Sequence, residues 1–234
     1  MAVAGKNLIR GVVFDLDHTL YDRKTSDTLG LIKYFSQYPR QFAPGQTPES
    51  AAKSMWRGEL DNLKSGWQAL TDTMTREGVF AYPPTGQAFC DWFQRYYASA
   101  GVTWPCVYPL LHNLKRMGLK LGIITNGTQT TQQAKLDYFG FPSLIPEIII
   151  ASGQQAKPNP APFIRMTSQL GCPANTLLYV GDNPINDVAA SHSAGYIPVW
   201  VRTLPWWGDA QPPLYQIDTV CQLYDLICTE FCIT

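Results

Sequence analysis

The sequence predicts an α/β protein: a doubly wound parallel sheet with an all-helical domain inserted after its first strand. Three observations carry this. From about residue 107 onward, short apolar runs of strand length alternate with helix-like segments, the pattern that a parallel sheet with crossover helices requires. The opening run of Leu8, Ile9, Val12, Val13 and Phe14 is apolar on both faces, as in a central strand covered on each side. Between the two regions, residues 21–105 hold aromatic-rich helical segments and no convincing buried strand.

Taken in order, the first strand covers residues 8–14 and ends in Asp15-Leu16-Asp17-His18-Thr19. Asp15 and Asp17 lie two apart, so extended backbone would point both carboxylates the same way. Two like charges add nothing to the stability of a strand end, whereas a divalent cation or a phosphate would give them a purpose. The insertion is punctuated by Pro39, Pro44-Gly45, Pro48 and Pro83-Pro84, and at about 85 residues it has the size of a small domain. Its Trp56, Trp67, Trp92 and Phe93 read as core aromatics. A helix over 108–117 leads to a strand over 119–124, which ends at Thr125-Asn126-Gly127. A helix over about 128–139 precedes a strand at 147–150, and Lys157-Pro158 lies in the loop beyond it. A helix at 160–170 leads to a strand at Leu177–Val180, followed by Gly181-Asp182-Asn183. Pro184 suits the first turn of the next helix, with Asn183 or Asp182 as cap. That helix stops near Gly195, and Ile197 to Val201 form one more strand. The expected domains are thus 1–20 with 106–234 for the α/β core, and 21–105 for the helical insertion.

Composition narrows the functional classes. Basic and acidic residues balance at 18 each, with no basic stripe, so nucleic acid is not an expected partner. No apolar run approaches the roughly 20 residues that span a bilayer, and the N-terminal residues lack the apolar stretch of a secretory signal. A cytoplasmic location is expected, with no membrane partner. The six cysteines, Cys90, Cys106, Cys172, Cys221, Cys228 and Cys232, show no zinc spacing and read as reduced thiols. Cys228 and Cys232 would share one face of a C-terminal helix.

Asp15 and Asp17, Thr125 and Asn126, Lys157, and Asp182 each fall at or just beyond the C-terminal end of a predicted strand, the edge where open α/β sheets bind ligands. A carboxylate nucleophile can form an acyl-phosphate, which splits phosphoester hydrolysis into two easier steps. A second carboxylate can protonate the leaving oxygen and later activate water. A third completes oxygen ligation of Mg²⁺. A threonine hydroxyl and a lysine ammonium can neutralise the phosphoryl oxygens.

Asp15-Leu16-Asp17-His18-Thr19, Thr125-Asn126-Gly127, Lys157-Pro158 and Gly181-Asp182-Asn183 followed by Asp187 resemble, in order, the four motifs of the haloacid dehalogenase-like hydrolase superfamily. The resemblance covers residues 8–20 and about 107–201, and it implies a Rossmann-like core. It implies Asp15 as nucleophile, Asp17 as general acid/base with its backbone carbonyl on the metal, and Thr125, Asn126 and Lys157 as phosphate-binding residues. Asp15, Asp17 and Asp182 would hold Mg²⁺, with Asn183 and Asp187 close behind them. The insertion resembles the helical cap of the C1 subgroup, which would close over substrate and set specificity. Family members that act as dehalogenases or phosphonatases lack the second aspartate of the first motif, so Asp17 implies phosphoester hydrolysis. His18 occupies a position often held by glycine. The run Thr125-Asn126-Gly127-Thr128-Gln129 through Gln132-Gln133-Ala134-Lys135-Leu136 is most similar to nucleotidase-like members.

The expected activity is Mg²⁺-dependent hydrolysis of a small phosphorylated metabolite through an aspartyl-phosphate on Asp15, by a monomer or a homodimer. A nucleoside monophosphate, a sugar phosphate and phosphoglycolate are all open as substrates. A phosphomutase and a silent phospho-ligand-binding scaffold stand as alternatives. A phospho-accepting receiver module is disfavoured, because those domains lack a large helical insertion after the first strand. Arg23 and Lys24 read as solvated residues that could reach a leaving group, and Trp206-Trp207 as a site flank or a sheet-edge cover.

Overall fold

The computed structural model describes residues 7–61, 66–203 and 212–233. The chain forms two compact units, Met1–Asp22 with Thr103–Thr234, and Arg23–Val102. Tyr21 and Thr103 pair with each other in an antiparallel bridge, which places them with the core rather than with the insertion.

The expected first strand is in fact two. β1 (Asn7–Ile9) and β2 (Gly11–Phe14) are interrupted at Arg10. The Arg10 N–H donates to Thr176 O at 2.8 Å and its carbonyl accepts from Lys120 N at 3.0 Å. Periodicity cannot separate one long strand from two that change partners, because both are extended and apolar.

The helical unit holds α1 (Arg23–Gln37), α2 (Pro48–Asp61), α3 (Gly66–Arg76) and α4 (Gly86–Ala100). Its core is aromatic. The Tyr34 ring meets Phe89 at 4.9 Å and Trp92 at 5.1 Å, both edge-on, the arrangement the ring quadrupole favours. Trp67 stacks on the fully buried Phe93 at 5.5 Å. The Trp92 indole donates to Gln37 Oε1 at 2.8 Å, so its polar edge is satisfied. Arg23 and Lys24 also engage this unit: Arg23 Nε lies 3.5 Å from Asp27 Oδ2, and the Lys24 ammonium sits 5.1 Å from the centre of the Trp56 ring.

The core continues with α5 (Val107–Arg116), β3 (Lys120–Asn126), α6 (Gln129–Tyr138), the short α7 (Phe141–Leu144) and β4 (Glu147–Ala151). After these come α8 (Ala161–Leu170), β5 (Leu177–Gly181), α9 (Ala190–Ser193), β6 (Ile197–Val201), β7 (Tyr215–Ile217), α10 (Leu223–Glu230) and β8 (Phe231–Ile233). β4-β3-β2-β5-β6-β7 form one sheet in that order, every pair parallel. The chain builds outward from β2 on one side, then returns to build on the other. The loops after β2 and β5 therefore diverge at a topological switch point. β2 and β5 are buried along their whole lengths, which is why their sequences read as unbroken apolar runs. On one face Val13, Ile124, Ile149 and Tyr179 pack with Phe163 and Met166 of α8. β1 pairs with β8 in a separate two-stranded sheet.

The cysteine reading is corrected at two points. Cys106 and Cys221 form a disulfide across 115 residues of sequence, with Cα atoms 5.4 Å apart. Cys106 caps α5 and Cys221 lies in the turn before α10, so only the folded core brings them together. α10 ends at Glu230 and Cys232 lies in β8, so Cys228 and Cys232 do not share a helical face.

Candidate active site

Asp15 directly follows β2, and its N–H still joins the ladder, donating to Val180 O at 2.9 Å. The chain then turns tightly around one carbonyl, Leu16 O, which accepts from Thr19 N at 3.3 Å, Leu20 N at 3.0 Å and Tyr21 N at 2.9 Å. His18 sits in this turn at φ +62°, left-handed backbone that glycine adopts at least cost. β2 ends at Phe14, so Asp15 and Asp17 do not share an extended strand. The turn sends the Asp17 carboxylate to α6.

Lys157 lies at the centre of the buried site. Its three N–H donors face four oxygens within hydrogen-bond distance: Asp15 Oδ1 at 2.6 Å, Asp187 Oδ1 at 2.6 Å, Tyr179 Oη at 2.8 Å and Ile124 O at 3.0 Å. Asn126 holds the same residue by its main chain: its Nδ2 donates to Lys157 O and its Oδ1 accepts from Lys157 N, both at 2.8 Å. Of the two expected caps it is Asn183 that caps the following helix, its Oδ1 accepting from Ile185 N at 3.0 Å and Asn186 N at 2.8 Å. The first turns of that helix, Pro184–Ala189, are of the wide π type, a form common at functional sites. They carry Asp187 back toward Lys157, and Asp187 Oδ2 accepts from Asn183 N at 2.9 Å. A side chain at Gly181 would fall 2.5 Å from Asp187 Cγ, so the glycine leaves Asp187 its room.

Asp15, Asp182 and Asp187 are all buried, and each offers a carboxylate oxygen within 4.8 Å of the others. Asp187, expected close behind the metal ligands, thus brings its own carboxylate into the cluster, whereas Asp17 is expected at the metal through its backbone carbonyl. Asp182 Oδ2 is buried with no hydrogen-bond partner. An orphaned anionic oxygen costs several kcal/mol unless a cation or proton meets it, and an all-oxygen donor set suits Mg²⁺. Burial pushes Asp15 up to about 7, with Lys157 pulling the other way and Asp187 adding to the rise. Burial, then the charges of Asp187 and Asp15, hold Asp182 well above the usual carboxylate range. Burial would lower Lys157, but Asp15 and Asp187 together raise it well above the ordinary lysine value.

Thr125, the penultimate residue of β3, is buried beside this cluster. Three further side chains, to which the sequence analysis gives no role, join these residues. Gln132 Nε2 donates to Thr125 Oγ1 at 2.6 Å and to Asp17 Oδ2 at 3.0 Å. Lys135 Nζ donates to Asp17 Oδ1 at 2.7 Å. Tyr179 supplies the phenol beneath Lys157. Each left a trace: Tyr179 is the one polar side chain in an apolar central strand, and Gln132 and Lys135 are three apart on the helix that opens beside Thr125. His112 and His192 are exposed on helices, and Trp206-Trp207 lie outside the described residues.

Residues 12–201 match the family described as haloacid dehalogenase-like hydrolase. The phosphoglycolate phosphatase of Rhodospirillum rubrum is 31% identical over 221 residues, 92% of this chain and 87% of that protein. The glyceraldehyde 3-phosphate phosphatase of Methanopyrus kandleri is 32% identical over 131 residues, 53% of this chain and 56% of that protein. Among solved structures, the HAD-hydrolase YfnB from Bacillus subtilis bound to magnesium gives a TM-score of 0.72 at 20% identity, covering 94% of this chain and 98% of that one. This last likeness is one of fold.

Proposed function

We propose, for a chain that belongs to the haloacid dehalogenase-like hydrolase family, a phosphatase that hydrolyses a small-metabolite phosphomonoester through an aspartyl-phosphate on Asp15. The observation that supports this most is the Lys157 ammonium, 2.6 Å from both Asp15 and Asp187, beside a buried Asp182 oxygen that lacks a partner.

In this reading Asp15 attacks phosphorus, and the bond from phosphorus to the leaving oxygen breaks as Asp17 delivers a proton to that oxygen. Water then attacks the phosphorus of the acyl-phosphate, Asp17 takes up its proton, and inorganic phosphate leaves with Asp15 restored. Lys157 and the Thr125 hydroxyl neutralise the phosphoryl oxygens, where charge is spread in the transition state. Mg²⁺, held by Asp15 and Asp182 with the Asp17 carbonyl and with Asp187 close by, would supply further charge neutralisation at the phosphoryl group. The helical unit Arg23–Val102 we take to be the part of the chain that governs substrate choice. The names of the relatives make phosphoglycolate and glyceraldehyde 3-phosphate the first substrates to try.

The test is phosphate release from a panel of phosphomonoesters, with and without Mg²⁺, for the parent protein and Asp15→Asn. Mg²⁺-dependent turnover that vanishes in the variant supports the reading. An inactive parent across the panel, or full activity in Asp15→Asn, overturns it.

A further inference from the structure

We propose that Gln132 and Lys135 are positioning residues that hold Asp17 for proton transfer to the leaving group, with Gln132 also setting the direction of the Thr125 hydroxyl. The inference rests on the reading of Asp17 as the general acid.

The carboxylate of Asp17 is held at both ends. Lys135 Nζ approaches Oδ1 at 2.7 Å and Gln132 Nε2 approaches Oδ2 at 3.0 Å. With a donor on each oxygen, rotation of the carboxylate is blocked. The two donors lie three residues apart on one face of α6. Both are buried, Gln132 at 2% and Lys135 at 4% exposure. Lysine is almost never fully buried unless it is paired. A surface ion pair would offer similar stability without the desolvation, so burial of Lys135 points to what it holds rather than to stability. Its ammonium also lies 5.2 Å from the centre of the Tyr21 ring, which adds a second fixed contact.

Gln132 serves two motifs with one amide. Nε2 carries two protons, one for Asp17 Oδ2 and one for Thr125 Oγ1, the latter at 2.6 Å. The flipped amide would set Oε1 against a carboxylate oxygen, so only this orientation satisfies both contacts. Because Thr125 Oγ1 accepts from Gln132, its own proton is left to donate, and a phosphoryl oxygen is the acceptor the mechanism calls for. The fold makes space for this arrangement at Gly127, where an added Cβ would fall 2.7 Å from Gln132 Cγ and where φ is +152°.

The experiment compares kcat/KM for two probes: the alkyl phosphomonoester of the panel that turns over fastest, and p-nitrophenyl phosphate, whose leaving group departs without a proton. Asp17→Asn, Gln132→Met, Lys135→Met and Lys135→Arg are measured, and the readout is the alkyl-to-aryl ratio. A merely structural role lowers both rates together and leaves the ratio unchanged. Asp17→Asn is expected to lower the ratio about 10²–10⁴-fold. Gln132→Met and Lys135→Met are expected to lower it roughly 10–100-fold, and Lys135→Arg to recover most of the loss. If Lys135→Met does not fold, Lys135→Gln gives the same test with a shortened donor. A lowered ratio in Asp17→Asn with unchanged ratios in the Gln132 and Lys135 variants overturns this inference alone. An unchanged ratio in Asp17→Asn overturns the general-acid reading and the inference with it.

Discussion

Replacing Lys157 by methionine removes the cation that touches both Asp15 and Asp187, and the structure indicates where the cost falls. Two of its four acceptors need little help, because the Tyr179 hydroxyl can donate to Ile124 O at 3.2 Å. The penalty is carried by the carboxylates, whose side chains are 10% and 2% exposed. Breaking a buried pair by removing one partner costs about 3–5 kcal/mol. The cost depends on pH in a definite direction. Asp15 titrates at about 7 in the folded parent, against 3.8 for the free group, so below that value it carries its proton in parent and variant alike and has little need of Lys157. In the variant burial and Asp187 still push Asp15 upward with no ammonium to oppose them. A carboxylate raised above its unfolded value loses folded-state stability as pH rises through the gap. The variant's gap is the wider, so the difference between the two proteins opens above pH 7. One proton can contribute at most about 1.4 kcal/mol per pH unit. Urea unfolding with a chelator present should therefore show a deficit of roughly 3–5 kcal/mol at pH 8.5 that is smaller by about 1–2 kcal/mol at pH 6. A deficit under about 1 kcal/mol at pH 8.5, or one that does not change with pH, would refute the account of Lys157 as the counter-charge of this cluster.

Three further outcomes follow from the geometry. Because Asp15 and Asp182 both hold protons more tightly than ordinary carboxylates, Mg²⁺ binding at pH 6 should release protons; calorimetry in two buffers of different ionisation enthalpy would show it, and identical heats would rule it out. Cys106→Ser should lower stability by about 2–5 kcal/mol, since the bridge closes a loop of 115 residues, while kcat stays within about twofold of the parent because neither cysteine touches the site; equal melting temperatures for the variant and the oxidised parent would show that the bridge adds nothing. His18→Val should destabilise by about 1–2 kcal/mol more than His18→Gly, since β-branched residues fit left-handed backbone poorly; thermal melts of the pair decide, and equal stability would mean the turn does not demand φ +62°.

Much of the site was legible because its residues sit where strands end, and strand ends are visible as the last apolar residue before a polar one. Asp15, Thr125 and Asp182 stand out in this way, and capping chemistry places the start of the next helix at Asp182 or Asn183, of which the structure has Asn183. What escaped notice depends on contacts between distant residues. The break at Arg10 is set by partners at Thr176 and Lys120, and β1 takes its partner from Phe231–Ile233, near the other end of the chain. The Cys106–Cys221 bridge spans α5 and the approach to α10, with no spacing signature to reveal it. Gln132 and Lys135 belong to a helix with only a weak apolar stripe, where polar residues are expected to face water. Asp17 was placed with Asp15 by the period of an extended strand, and the left-handed turn at His18 removed that premise.

Asn126 carries one more implication. Its amide gives one hydrogen bond and takes another from the main chain of Lys157, extending the β3–β4 edge by a rung made from a side chain. The grip is on peptide groups, so it is indifferent to which amino acid occupies position 157. The loop is thus a socket, and the ammonium is the fitting it happens to carry. A different side chain introduced there would leave the same backbone facing Asp15 and Asp187 but remove the charge that Lys157 supplies to them, so position 157 separates how the loop is held from what it carries.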